Sequence, residues 1–150
     1  MINMKKAIYF DMDGTIADFY GVPNWLRYLC ESNPHPYEVA APLLNMSLLA
    51  RLLNRLQREG WHIGIVSWTS KTGSPAFNSA TAEAKMDWLN QHLRSVHWDE
   101  INIVPYGTPK QTVVMFSDGI LFDDEAPNRE AWVGTAYDVE NIIEILKGLF

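Results

Sequence analysis

Five short apolar runs, separated by stretches of helical periodicity, set the main pattern of this sequence. The runs cover residues 7–10, 61–68, 101–106, 119–125 and, more weakly, 132–138. Polar and apolar residues alternate little within them, which is typical of strands buried on both faces of a sheet. Because strands that alternate with helices imply parallel crossovers, we expect a three-layer α/β fold. In this fold a Rossmann-like parallel sheet carries helices on both faces.

Three stretches have the apolar periodicity of helices that pack on such a sheet. The first covers residues 48–56, keeps its arginines off the leucine stripe, and stops near Gly60. The third begins at Asp138, a good N-cap residue, and runs to Leu149. The apolar stripe of the second helix consists of Ala82, Met86, Leu89 and Leu93.

A proline-rich segment, residues 18–42, interrupts the alternation directly after the first strand. It shows no strand pattern, and only residues 24–29 suggest one or two helical turns. Loops at the carboxyl ends of parallel strands are where open α/β sheets bind ligands. We therefore expect one domain over residues 1–150, in which residues 18–42 form a small insertion beside a binding site.

Composition and charge exclude several classes of protein. With 47% apolar residues the chain can build a full core, and the formal net charge of −6 argues against a nucleic-acid partner. Cys30 is alone, so no internal disulfide can form, and we expect it to be a small buried residue in a cytoplasmic protein. No apolar run reaches the length of a signal-peptide core or a membrane span, so no membrane partner is expected. The oligomeric state leaves no signal in the sequence.

Polar groups follow the four stronger strands at the point where each strand ends. Because parallel strands bring their carboxyl ends to one edge of the sheet, we expect these groups to converge. Clustered carboxylates repel one another unless a cation neutralises them, and hard oxygen ligands suit Mg²⁺. The groups are Asp11 and Asp13 after the first strand, Ser67 in the second, Lys110 after the third, and Asp123 and Asp124 after the fourth.

These residue types are the ones that phosphoryl transfer needs. An ionised aspartate can attack phosphorus as a nucleophile, and a second carboxyl two residues on can protonate the leaving oxygen. Ser67 and Lys110 supply a hydroxyl donor and a positive charge for the remaining phosphoryl oxygens. Gly14 permits the tight turn that would carry both aspartates into a pocket.

The stretch DMDGT, residues 11–15, resembles the opening motif of the haloacid dehalogenase (HAD) superfamily of phosphohydrolases. The order that follows is also similar: a hydroxyl after the second strand, then a lysine, then the acidic pair of LFDDE. The resemblance covers the chain from Lys6 to about Glu125 and implies a role for each matching residue. Asp11 resembles the nucleophile, and Asp13 resembles the general acid/base, which also offers its backbone carbonyl to magnesium. Ser67 resembles the phosphate-binding hydroxyl and Lys110 the charge-balancing lysine. Asp123 and Asp124 resemble the acids that bind the metal together with Asp11.

Two of these assignments have alternatives in the sequence. Lys85, in AEAKMDWL, lies beside a helical stripe and resembles the lysine that precedes a WL-like pair in 5′-nucleotidase-like members. We favour Lys110 as the charge-balancing residue, with Lys85 as a second phosphate contact. Thr69 or Ser70 could hold the phosphate in place of Ser67.

The function that we predict is a magnesium-dependent phosphatase that acts on a small phosphomonoester through an aspartyl-phosphate intermediate. The nucleotidase-like features make a nucleoside monophosphate the first candidate substrate. Trp25 and Trp68 could stack on a nucleobase or on an apolar leaving group, whereas the four histidines lack ligand spacing.

Two other functions remain open at this stage. An insertion as small as residues 18–42 makes a small cap and leaves the site open, which suits a polynucleotide-end phosphatase, although the negative net charge argues against it. A receiver-type signalling domain would hold a phospho-aspartate without turnover. Such domains normally carry the acidic pair on the first strand, and here the pair comes last.

Overall fold

The computed structural model describes residues 6–150 and contains a five-stranded parallel sheet. The strands, numbered along the chain, are β1 (Ala7–Phe10), β2 (Ala17–Asp18), β3 (Ala41–Pro42), β4 (His62–Trp68), β5 (Glu100–Val104), β6 (Ile120–Phe122) and β7 (Thr135–Tyr137). The order in the main sheet is β5-β4-β1-β6-β7, so β1 lies at its centre. The predicted α/β class and all five predicted strands are confirmed.

The helices pack around this sheet. They are α1 (Trp25–Cys30), α2 (His35–Val39), α3 (Met46–Arg58), α4 (Pro75–His92), α5 (Ala126–Ala131) and α6 (Ile142–Lys147). The side chains of Asn45 and Ser74 cap α3 and α4 by accepting hydrogen bonds from backbone N–H groups of the first turn. Asp138 caps a 3-10 turn rather than the predicted long helix, and α6 begins only after that turn. Within residues 6–150, no helix combines the length and the apolar character that a membrane crossing requires.

The sheet separates two cores of unequal size. Ile8 and Phe10 point into the larger core, which α3, α4 and α6 cover with buried leucines and isoleucines. Ala7 and Tyr9 point the other way, under Trp132, Val113, Val114 and Phe116. This alternation along β1 explains why the strand has no polar residue before Asp11.

The buried face of α4 differs from the predicted stripe. Met86 is 38% exposed, whereas Thr81, Lys85 and Trp88 are buried on the face that packs inward. Leu89 and Leu93 are buried as predicted, so the error lies at Met86, where a buried lysine and a buried threonine break the apolar periodicity on which the prediction depends. Cys30 is also exposed at the end of α1, so the prediction of a buried cysteine was wrong.

The insertion is closed at its base by a pair of two-residue strands. Ala17 of β2 lies opposite Pro42 of β3 in an antiparallel pair, although no strand was predicted here. Two residues are too few to leave a periodic pattern in the sequence. The insertion then packs against α4, where the indole Nε1 of Trp88 donates to the carbonyl of Ala40 at 2.8 Å.

Candidate active site

A tight turn directly after β1 positions the first two aspartates. The backbone N–H of Asp11 still donates to Phe122 O at 2.9 Å, so the pairing of β1 with β6 extends to this residue. The chain then turns around the carbonyl of Met12, which accepts from three successive N–H groups of residues 15–17. Gly14 has φ +78°, and a Cβ there would overlap the carboxylate of Asp124. The turn therefore requires glycine for its backbone conformation and for the space beside it.

Lys110 joins the first strand to the acidic pair after β6. It lies in a short 3-10 turn, Lys110–Thr112, and is almost completely buried. Its Nζ donates to Asp11 Oδ1 at 2.9 Å and to Asp123 Oδ2 at 2.7 Å. Burial alone would lower the pKa of Lys110, but Asp11 and Asp123 outweigh this effect and raise it, so the ammonium form is maintained.

Lys85 makes a second, separate set of contacts from the middle of α4. Its Nζ donates to Asp13 Oδ2 at 3.0 Å, to Ser67 Oγ at 2.7 Å and to Trp68 O at 2.7 Å. It is 1% exposed, and Ser67 is fully buried. The two lysines thus divide between two aspartates, Lys110 with Asp11 and Lys85 with Asp13.

Asp123 is the most firmly held carboxylate in the group. Besides Lys110, the backbone N–H of Glu125 donates to its Oδ1 at 2.9 Å, and Asn128 Nδ2 donates to its Oδ2 at 3.2 Å. Arg129 donates to its backbone carbonyl at 2.9 Å. Asp124 lies nearer the surface and has fewer partners.

Three of the carboxylates form a triad that could hold a metal ion. Asp11, Asp123 and Asp124 each offer an oxygen, and these oxygens lie within 4.8 Å of one another. The hydroxyl of Thr15 lies 3.2 Å from Asp11 Oδ2 and 3.4 Å from Asp124 Oδ1, between two of them. An all-oxygen set of this kind is the ligand chemistry that Mg²⁺ prefers.

The electrostatics of the site also favour a cation. We call the following six residues the charged cluster: Asp11, Asp13, Lys85, Lys110, Asp123 and Asp124. With every group ionised, four carboxylates and two ammonium groups leave a net charge of −2. Burial and the neighbouring charge of Asp11 raise the pKa of Asp123 to about 6 and that of Asp124 to about 8. Without a metal ion, protons on these carboxylates therefore compensate part of the negative charge. A bound divalent ion would neutralise that charge instead.

Asp11 and Asp13 differ in their protonation preference. Burial opposes ionisation of Asp11, but Lys110 and Lys85 outweigh it and lower its pKa. The pKa of Asp13 is raised, because burial and the charge of Asp11 exceed the opposing effect of Lys85. The carboxylate of Asp13 lies outside the triad of possible metal ligands. One aspartate is thus held ionised while its neighbour is biased toward the acid form.

A cleft of about 470 Å³ opens onto this cluster. Asp11, Asp13, Ser67 and Lys110 line its floor, while Lys85, Asp123 and Asp124 support the floor from behind. We call the side formed by Phe19, Tyr20, Trp25, Leu26, Leu29 and Tyr37 the insertion wall, and the side formed by Trp68 and Tyr106 the strand wall. Every predicted site residue therefore lies in or directly behind one cleft.

The alternatives Thr69 and Ser70 line the cleft as well. The buried hydroxyl of Thr69 has no hydrogen-bond partner among the described residues, so it is available to a ligand oxygen. Ser70 is buried beside it.

Three supporting residues were not predicted from the sequence. Thr15 belongs to the DMDGT stretch, and this membership was the only feature of the sequence that could have pointed to it. No role for Thr15 was predicted from the sequence. Asn128 and Arg129 lie five and six residues beyond Asp123, and they contact it only because α5 begins directly after the acidic pair. Their side chains hold a carboxylate in place through contacts that no spacing pattern specifies.

Neither a protein family nor a curated protein matches the sequence of this chain. Solved structures that share the fold of this chain are found, and two of them are phosphatases. One is D,D-heptose 1,7-bisphosphate phosphatase from Burkholderia thailandensis, with a TM-score of 0.60 and 15% identity over 97% of this chain and 98% of that chain. Another is the same enzyme from B. bronchiseptica in complex with magnesium and phosphate, with a TM-score of 0.59 and 15% identity over 96% and 97%.

Proposed function

We propose that this protein is a magnesium-dependent phosphatase that hydrolyses a small phosphomonoester through an aspartyl-phosphate intermediate. The observation that carries the proposal is the charged cluster at the floor of an open cleft. It holds one buried aspartate ionised, a second aspartate two residues away biased toward its acid form, and a triad of carboxylates. The fold shared with two phosphatases supports the same conclusion.

We assign the metal to the triad of Asp11, Asp123 and Asp124, whose oxygens converge and whose uncompensated charge matches a divalent cation. The backbone carbonyl of Asp13 is proposed as a further ligand. When bound, Mg²⁺ would neutralise charge on the phosphoryl oxygens and on the triad. Lys110 would remain between Asp11 and Asp123 and would keep both carboxylates in position.

The first chemical step uses Asp11 and Asp13 together. A carboxylate oxygen of Asp11 attacks the phosphorus, and the bond from phosphorus to the ester oxygen breaks. Asp13 in its acid form gives its proton to that oxygen, so the alcohol leaves neutral. Ser67 and Thr69, together with Lys110, would hold the remaining phosphoryl oxygens.

The second step reverses the role of Asp13. Its carboxylate, now without the proton, takes a proton from a water molecule whose oxygen attacks the aspartyl-phosphate. The bond from phosphorus to the oxygen of Asp11 breaks, and inorganic phosphate leaves. Lys85, at 3.0 Å from Asp13, would keep that carboxylate aimed at the reacting oxygen in both steps. We therefore propose a positioning role for Lys85 in addition to the phosphate contact expected from the sequence.

The size of the cleft favours a small substrate over a polynucleotide end. A volume of about 470 Å³ falls in the range of small-molecule sites, and the formal net charge of −6 argues against a nucleic-acid partner. A nucleoside monophosphate remains a proposed substrate, supported by the aromatic residues of both walls. We propose that residues 18–42 act as a small cap on a single domain, and that the protein works in the cytoplasm, where its free Cys30 would stay reduced.

Phosphate release from a panel of phosphomonoesters tests the proposal. With Mg²⁺ we expect turnover of p-nitrophenyl phosphate, and with EDTA we expect none. Asp11→Asn should lower kcat by about 10⁴-fold or more because it removes the nucleophile. Asp87→Asn, an exposed aspartate on α4, is the matched control and should retain full activity.

Trapping of the intermediate separates this proposal from a signalling domain. An acid quench during turnover should yield protein phosphorylated on Asp11, identified by mass spectrometry, in amounts that fall once substrate is exhausted. Stable phosphorylation without phosphate release would favour the receiver-type function instead. The absence of both reactions, in folded protein with Mg²⁺ bound, would refute the phosphatase proposal.

A further inference from the structure

We propose that the substrate carries a flat aromatic ring on its alcohol portion, and that this ring is recognised between the insertion wall and the strand wall. The inference rests on the proposed phosphatase function and specifies its substrate class. It is carried by the contrast between the charged floor and the aromatic, partly exposed sides of the same cleft.

The insertion wall presents aromatic surface that the protein itself leaves uncovered. Tyr20 and Trp25 meet edge to face with ring centroids 5.1 Å apart, and Phe19 packs behind both of them. Tyr20 is nevertheless 48% exposed, and Leu26 beside it is 59% exposed. Large apolar side chains grouped at a cleft and open to water mark a site for an apolar ligand group.

The strand wall is held firmly in place. The indole Nε1 of Trp68 donates to Thr108 O at 2.8 Å, and its ring lies 4.8 Å from that of Tyr106. Lys110 Nζ lies 5.2 Å from the Trp68 ring centroid and stabilises it further. Tyr106 is 45% exposed despite these neighbours, so part of its ring remains free for a ligand.

The insertion wall is poorly suited to a substrate rich in hydroxyl groups. Of the described residues that line the cleft, those from the insertion include no charged side chain. Each sugar hydroxyl placed against such a surface would lose hydrogen bonds to water without replacement. A flat ring loses nothing of this kind, and it gains the edge-to-face and offset-stacked contacts that aromatic side chains make.

Two matched substrate pairs test the inference in the magnesium-loaded protein. Benzyl phosphate and cyclohexylmethyl phosphate both release a primary alcohol and differ mainly in the flatness of the ring. Adenosine 5′-monophosphate and ribose 5-phosphate share the phosphorylated ribose, and a hydroxyl group replaces the base in the second. We expect the aromatic member to have the higher kcat/KM by about 2- to 12-fold in at least one pair, the range given by an aromatic contact. Equal values in both pairs, or a preference for the aliphatic members, would overturn the inference.

Variants of the exposed wall residues then test whether these side chains cause the preference for aromatic substrates. Tyr106→Leu and Tyr20→Leu keep apolar volume but remove a ring, and each should lower the ratio of aromatic to aliphatic kcat/KM, chiefly through KM. Tyr106→Phe should keep the ratio. Phe150→Leu, which removes a ring of similar exposure (42%) outside the cleft, is the matched control and should change nothing. If Tyr106→Leu and Tyr20→Leu keep the wild-type ratio, the walls do not recognise the ring.

A non-hydrolysable pair distinguishes failure of this inference from failure of the proposed function. Benzylphosphonate and cyclohexylmethylphosphonate can be compared by calorimetric titration in the presence of Mg²⁺. Tighter binding of the benzyl compound without turnover of any ester would refute the phosphatase function and retain the aromatic site. Turnover of esters with equal binding of both phosphonates would retain the phosphatase and refute the aromatic site.

Discussion

The floor and the insertion wall of the same cleft are built on opposite principles. On the floor, nearly every charged atom has a partner: Lys110 bridges Asp11 and Asp123, and Lys85 bridges Asp13 and Ser67. On the insertion wall, rings pack on one another and leave much of Tyr20 open to water. Asp11, Asp13 and Ser67 of the floor lie at the ends of sheet strands, whereas the insertion wall comes from a segment outside the sheet.

This difference matches the two tasks that the proposed phosphatase function requires, which are reaction chemistry and substrate selection. A fully connected polar network fixes its members within a narrow geometry, as reaction chemistry requires. An apolar surface contacts ligands without demanding one geometry, so it can select a substrate class without affecting the reacting atoms. We therefore expect changes to the floor to reduce both stability and turnover, and changes to the wall to reduce substrate binding.

The largest expected effect follows loss of the lysine that joins the two halves of the floor. Lys110→Met leaves Asp11 and Asp123 buried without their cation, which should destabilise the metal-free protein by about 3–5 kcal/mol and reduce kcat by about 10²-fold or more. Urea unfolding with EDTA and steady-state kinetics with Mg²⁺ measure the two effects. Lys147→Met, on the exposed end of α6, is the control. Equal stability of both variants would show that the floor is not a connected network.

A smaller effect is expected from the glycine of the first turn. Gly14→Ala forces a side chain into a left-handed backbone and against Asp124, so it should cost more than the backbone penalty of about 1–2 kcal/mol and also weaken Mg²⁺ binding. Gly107→Ala is the matched control, because Gly107 has φ +86° but open space where a Cβ would lie. Gly107→Ala should lower the free energy of unfolding only by the cost of the left-handed backbone. Isothermal titration with Mg²⁺ distinguishes them, and equal metal affinities would contradict the role of Asp124.

The dependence of stability on pH should reveal the uncompensated charge of the triad. The folded-state pKa values of Asp123 (about 6) and Asp124 (about 8) lie above the value of about 3.9 for an unfolded aspartate. Their contribution to the stability of the metal-free protein is therefore complete below pH 4 and is lost as pH rises toward 8. Mg²⁺ binds the ionised forms, so the stabilisation that it provides should increase over the same interval.

Thermal unfolding with Mg²⁺ or EDTA between pH 5.5 and 8.5 measures this trend. Each tenfold gain in affinity adds about 1.4 kcal/mol, or about 3–6 °C in Tm at saturating metal. A difference between the two conditions that is constant with pH would mean that Asp123 and Asp124 do not bind the ion. Asp118→Asn, outside the triad, should leave the trend unchanged.

The smallest effect is expected at the outer end of the insertion wall. Because Cys30 is exposed, Cys30→Ser should change the free energy of unfolding by less than about 0.5 kcal/mol. The native thiol should also react readily with a thiol reagent, since nothing buries it. Protection of this thiol in the folded protein would show that α1 packs more tightly than its exposed residues indicate.

The sheet and the convergence of acidic residues could be predicted from the sequence because both depend on simple patterns. Apolar runs identified the strands, and the parallel arrangement alone brings Asp11 and Asp123 to one edge. The resemblance of DMDGT added the fold family and the expected roles. These predictions required no knowledge of side-chain packing.

The contacts of Lys85 and the closure of the insertion could not be predicted in the same way. A lysine on a helix normally marks the exposed face, and only the approach of Asp13 and Ser67 gives Lys85 a reason to be buried. The exposure of Cys30 depends on how a six-residue helix packs, and α1 has no buried residue that would fix its inner face. Such features arise from tertiary contacts, which a local pattern does not contain.

The short β2–β3 pair has a consequence for how proteins of this architecture can diversify. Because Ala17 lies opposite Pro42, the chain leaves the domain and returns to it at the same place. A loop that starts and ends at one point can be exchanged for a shorter or longer one at little entropic cost, since closure entropy grows only slowly with length. The register of β1 with β4 and β6 involves none of these residues. Lineages that shared the sheet could therefore acquire new specificities by replacing this one loop, while the charged cluster at the strand ends was inherited intact.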